Sequence, residues 1–164
     1  MKAARSMIAL RSERVEQLKA MAALHNMPAT MYLEELVRKQ ARRDEVPLPG
    51  LIVARSEDGR RVLFGFEVSK EGEHVPLTHL TPEEARQLAK CLKGATQRPR
   101  RLLEPVEAEY EGVVLEVGSQ SVAITLDAHL RGGNSYRKTI SVSMAVDVMD
   151  WLRQAAADVE SSDQ

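Results

Sequence analysis

Four histidines (His25, His74, His79 and His129), a single cysteine (Cys91) and the adjacent glutamates Glu83-Glu84 are the side chains of this 164-residue chain with the widest chemical scope. Their spacing argues against catalysis and metal binding. No two histidines stand four apart, as two ligands on one helix face would. His74 and His79 are five apart on a segment that alternates like a strand, which sends them to opposite faces. One cysteine permits neither an internal disulfide nor a cysteine-rich zinc site. Lys90 and Lys93 flank Cys91 in sequence but face other directions on a helix, so no base stands beside the thiol. Glu83-Glu84 reads as the acidic first turn of a helix, without a partner for general acid/base work. Gly132-Gly133-Asn134 lacks the strand-loop-helix setting of a phosphate cradle and reads as a hairpin turn. The pattern therefore gives no catalytic residue, no metal ligand and no cofactor-binding residue.

What remains is charge. The formal net charge is -1, with 23 basic and 24 acidic side chains. Residues 1–45 carry 9 basic and 6 acidic groups, and residues 46–164 carry 14 and 18. A basic front on an acidic remainder assigns any contact with a polyanion to the front. Arg38, Lys39, Arg42 and Arg43 cluster near its end, and Arg98, Arg100 and Arg101 form a second cluster further on, in an exposed connector. Aromatic residues make up 4% of the chain, too few for a stacking platform for single strands. No apolar run approaches the roughly 18–20 residues that would span a membrane. Arg11, Glu13, Arg14 and Glu16 interrupt the apolar start before it reads as a signal peptide. With one cysteine, these features point to the cytoplasm.

The elements that must position the basic residues follow from periodicity. Residues 5–11, Arg-Ser-Met-Ile-Ala-Leu-Arg, alternate as a short strand does. Ser12 stands as an N-cap with Glu13 in the first turn behind it. Val15, Leu18, Met21 and Ala22 make one helical stripe, which ends at His25-Asn26. Pro28 blocks continuation and Thr30 caps a second helix, expected over Thr30–Arg42, with Met31, Tyr32, Leu33, Leu36 and Val37 as its apolar set. A strand and two helices of this size cannot bury a core, and the lone strand has no hydrogen-bond partner. A second copy across a two-fold axis supplies both.

This segment resembles the ribbon-helix-helix family of the Arc/MetJ/CopG type, without gaps, over about a quarter of the chain. The residues that carry the resemblance are the strand Arg5–Leu10, the helix with Val15, Leu18 and Met21, the turn His25–Thr30 and the stretch Met31–Val37. The resemblance implies an intertwined homodimer whose paired strands enter the major groove of double-stranded DNA. It places Arg5, Met7 and Ala9 at base edges and the Ala29-Thr30 helix start on a backbone phosphate. Lys2 and Arg11 complete the expected contact set. Arg5 can bind guanine bidentately, whereas Met7 and Ala9 offer only apolar contact to a thymine methyl. Pro28 stands where the family commonly has a Ser.

Val46–Gly50 holds two prolines in three residues and reads as an extended linker between domains 1–45 and 51–158. Beyond it the hydrophobic pattern recurs at an offset of 60 residues. Val53 falls on Val113, and Val62, Phe64 and Phe66 fall on Val122, Ile124 and Leu126. Leu80-Thr81 falls on Ile140-Ser141, and Ala85, Leu88, Leu92 and Ala95 fall on Ala145, Val148, Leu152 and Ala155. Cys91 falls on Trp151. Each copy, 51–95 and 107–157, reads strand, strand, strand, helix. In the first, strands at Leu51–Arg55, Arg61–Ser69 and His74–His79 precede a helix capped by Thr81 and ending near Lys93-Gly94. In the second, strands at Glu107–Val117, Gln120–Asp127 and Tyr136–Ile140 precede a helix over Val142–Ala157. Residues 159–164 read as a disordered tail. The expected fold is α+β: a ribbon-helix-helix unit followed by a duplicated βββα domain, an antiparallel sheet with two helices on one face.

The sequence thus leads to a dimeric DNA-binding transcriptional repressor whose C-terminal domain takes an effector or a protein partner. The alternative is an antitoxin-like or inhibitor-like interaction module that keeps the N-terminal unit only to dimerise. An enzyme is not expected.

Overall fold

A computed structural model describes residues 9–44, 46–68, 73–74, 78–97, 103–120 and 123–162. The fold is α+β, with four helices and two antiparallel sheets. The chain divides into two compact units, Met1–Val46 and Pro47–Gln164. The expected linker is split by that boundary: Leu48 packs on the C-terminal core and its carbonyl accepts the Leu51 amide at 3.1 Å.

The N-terminal unit is a helical hairpin of α1 (Ser12–Leu24) and α2 (Ala29–Arg43). Among the described residues, a helix comes first. The expected strand 5–11 lies outside them except for Ala9–Arg11, which join no ladder.

In the C-terminal unit, β1 (Leu51–Arg55) and β2 (Val62–Val68) form a hairpin. Ser56 and Asp58 close its turn. The Asp58 carboxylate accepts the Ser56 hydroxyl at 2.5 Å and the Arg60 amide at 3.1 Å, and these bonds hold it below the usual carboxylate range. Gly59 takes φ +73°, where a side chain would be strained and would meet the Arg55 guanidinium. Of the expected third strand His74–His79, the described residues fall in β3 (Glu73–His74) and β4 (Thr78–Leu80), both on the same edge of β2. Helix α3 (Pro82–Gln97) follows, opened by a reciprocal capping box: Thr81 Oγ1 accepts the Glu84 amide and Glu84 accepts the Thr81 amide. It passes its expected end at Gly94. Leu103 lies close there: a Cβ on Gly94 would stand 3.2 Å from its methyl, a tight contact that a small shift of the leucine must relieve.

The expected strand Glu107–Val117 is also two, β5 (Val106–Ala108) and β6 (Val113–Ser119). Gly112, at φ +62°, turns the chain between them. β7 (Ala123–His129) and β8 (Ser135–Ser141) complete the order β5-β6-β7-β8. Helix α4 (Val142–Ser161) is capped by Ser141, whose hydroxyl accepts the Met144 amide at 3.1 Å. It continues past Ala157 into the expected tail because Val159 is buried in the core.

One apolar cluster fills the C-terminal unit between sheets and helices. Phe64 and Ile124, Phe66 and Leu126, Leu80 and Ile140, Leu88 and Val148, and Leu92 and Leu152, each 60 residues apart, are all buried in it. Cys91 is buried, while Trp151 is half-buried.

Candidate nucleic-acid interface

The N-terminal unit is shaped by two chain reversals. Arg11, in extended backbone (φ -64°, ψ 148°), is the N-cap of α1, and its carbonyl accepts the amides of Arg14 and Val15. Ser12, expected as the cap, is the first helical residue, and no side chain caps this end. At the other end the Asn26 amide bonds Ala23 and the Met27 amide bonds Ala22, each at 3.1 Å, with Asn26 at φ +52°. This is the Schellman pattern, and Asn tolerates its left-handed residue better than most.

Pro28 then caps α2 through backbone alone, its carbonyl accepting the Tyr32 amide at 3.0 Å. Thr30, expected as the cap, is the second helical residue and exposed, so its hydroxyl plays no capping part. The amides of Ala29, Thr30 and Met31 precede the first intrahelical bond and point out of the helix start. Together they offer an anion N–H donors and the positive end of the helix. His25 stacks on Tyr32 beside this turn, ring centroids 5.0 Å apart at 21°.

Of the sequence-derived contacts, Ala9 and Arg11 are exposed just before α1, Ala29 is half-buried and Thr30 exposed. Lys2, Arg5 and Met7 lie outside the described residues. The basic end of α2 carries Arg42 and Arg43 in its last turn, where cations suit the helix dipole. Lys39 pairs with Glu35 at 2.7 Å and holds that carboxyl below its ordinary range.

Among the described residues, Ala22 alone is buried in this unit. Leu24 is 82% exposed, Val37 60% and Met31 58%. Leu36, also on α2, is exposed as well. The hairpin thus carries apolar surface that one copy leaves in water.

The C-terminal unit holds its polar groups in pairs. His79 Nδ1 faces a Glu111 oxygen at 2.5 Å, and the other carboxylate oxygen accepts the His79 amide at 2.9 Å. Tyr110 lies edge-on to His79, with the Arg61 guanidinium 3.8 Å from its ring centroid. Arg137 donates two hydrogen bonds to Asp127, at 2.6 and 3.1 Å. His129 Nδ1 lies 2.8 Å from the Ser135 hydroxyl, and its Nε2 is 3.4 Å from Glu116. That row lies across three strands, and its side chains are 40% (His129) and 47% (Glu116) exposed. His129 Nε2 is itself buried and makes no hydrogen bond among the described residues. Burial, and then the nearby Glu104 carboxylate, push the Cys91 thiol up, away from reactivity. No three His, Cys, Asp or Glu side chains among the described residues converge on a metal position. No helix among them is long and apolar enough to cross a membrane.

Sequence reasoning missed these pairs. Arg137 and Asp127 are register partners of the β7–β8 hairpin, so centring the hairpin on the glycine turn finds them. His79 and Glu111 are 32 residues apart and carry no local signal. Comparison with protein-family models, curated proteins and solved structures finds no match to the chain.

Proposed function

We propose that the protein is a dimeric DNA-binding regulator of the ribbon-helix-helix kind. Two copies pair their N-terminal strands into a ribbon, and the ribbon enters the major groove. Arg5 reads base edges, with Met7 and Ala9 in apolar contact beside it. Lys2 and Arg11 add phosphate contacts, and the Ala29-Thr30 helix starts clamp the backbone from either side. The C-terminal unit is a tandem βββα duplication that takes an effector or a protein partner in the cytoplasm. The observation that carries this reading is the half-finished N-terminal unit: a helical hairpin with Ala22 as its one buried described residue, preceded by a segment patterned as a strand.

Titration of random duplex DNA at several salt concentrations tests it. Each phosphate contact adds about 0.9 to the slope of log affinity against log salt, so a dimer with several contacts gives a steep dependence. Arg5→Ala should weaken binding to a selected site by about 1–3 kcal/mol.

A second reading is favoured by Met7 and Ala9, which bring no hydrogen bond to a base edge, and by the acidic C-terminal part. In it the N-terminal unit only dimerises, and the C-terminal surface binds a protein as an antitoxin or inhibitor does. A dimer whose DNA binding is absent at every salt concentration selects this reading.

A further inference from the structure

We infer that the C-terminal unit is a fused intertwined dimer whose halves can be exchanged between copies, which makes it a second self-association module. The inference rests on the duplication proposed above. Its support is how the halves are packed. Helix α3 lies chiefly on β5 and β6 of the second half, and α4 chiefly on β1 and β2 of the first. The two helices also pack extensively on each other, with Arg86 of α3 bonded to Glu160 of α4.

Polar ties cross between the halves in both directions. Glu111 holds the amide and ring of His79, and Glu84 accepts the Glu109 amide at 2.9 Å. The Ser119 hydroxyl donates to the Ala95 carbonyl at 3.0 Å, and Lys138 Nζ donates to the Glu67 carbonyl at 3.1 Å. Each half's sheet is therefore covered in large part by the helix of the other half, while α4 also touches β7 and β8, and α3 touches β4, within their own halves.

The covalent join at 98–102 is not what makes these contacts. A second copy can supply the same helix to the same sheet, and exchange of identical elements costs little where the contacts are preserved. Paired N-terminal units hold two C-terminal units at raised effective concentration, which favours exchange inside a dimer or between neighbouring dimers. Joined dimers would then occupy adjacent DNA sites together.

Complementation tests this without DNA, so its outcome is separate from that of the regulator reading. Phe64→Asp damages the first half and Leu126→Asp the second, each at a buried core position. The two full-length variants are unfolded, mixed equally and refolded, with the single tryptophan, Trp151, as the reporter. Exchange joins the intact first half of one chain to the intact second half of the other. The mixture should then recover up to half of the wild-type native emission that neither variant shows alone. Emission equal to the sum of the separate variants overturns the inference.

A second arm removes residues 98–101 in a Val37→Glu background, which weakens N-terminal association. The shortened chain should keep native emission and contain twice as many chains per particle as the unshortened background. Native emission at unchanged mass also overturns it.

Discussion

In the C-terminal unit Phe64, Phe66, Leu88 and Leu152 are at most 2% exposed, whereas in the N-terminal unit Leu24 is 82% and Val37 60% exposed. α2 carries an apolar stripe as well patterned as those of α3 and α4, so the difference lies in what the stripes meet. In the C-terminal unit each stripe finds a sheet or a helix of the same chain. In the N-terminal unit, among the described residues, α1 packs on α2, and two helices of this size enclose little more than Ala22. Burial is a property of the partner as much as of the sequence that bears the pattern.

The comparison breaks most sharply at Leu36 and Val37. Changing both to Glu should abolish the proposed dimer at micromolar concentration, read by sedimentation, while leaving the melting of the C-terminal unit unchanged. Loss of both together would mean that the units do not fold independently. The next largest effect is the converse. Phe64→Ala should cost the C-terminal unit about 3–5 kcal/mol in denaturant unfolding, with dimer mass unchanged.

A smaller effect tests the likeness of the two halves. Thr81 and Ser141 each accept the amide three residues on with their hydroxyl oxygen, Thr81 with a return bond from Glu84 besides, so Thr81→Ala and Ser141→Ala should each cost about 1 kcal/mol. Costs of very different size would set the halves apart.

The smallest effect is electrostatic. Arg86 holds the Glu160 carboxyl below its ordinary range, so the pair stabilises the fold above that range. The contribution is lost as pH falls through the folded-state value. Wild-type and Glu160→Gln proteins should therefore differ at neutral pH and converge in acid, read by denaturant midpoints across pH, and high salt should shrink the difference.

Much of this architecture was legible in the residues themselves. Leu51–Arg55 is a strand with the expected limits, and Thr81-Pro82 and Ser141-Val142 open their helices where local chemistry directs. The misplaced boundaries have tertiary causes. Gly94 reads as a stop, but α3 runs on to Gln97, with Ala95 buried in the core. Glu107–Val117 reads as one strand because both pieces alternate, and the left-handed turn at Gly112 divides it. Val159 extends α4 because the core has room for it. Of the expected DNA contacts, Ala29 and Thr30 stand at a helix start that Pro28 made visible. Lys2, Arg5 and Met7 lie outside the described residues.

Cys91 has a practical consequence. The chain's one thiol is buried, donates to the Glu104 carbonyl at 3.5 Å and resists ionisation. A maleimide dye or crosslinker added to the folded protein should therefore ignore it. A cysteine engineered at an exposed position such as Thr30 would become the sole labelling point, giving a clean handle for measuring distances between protomers without first removing the native sulfur.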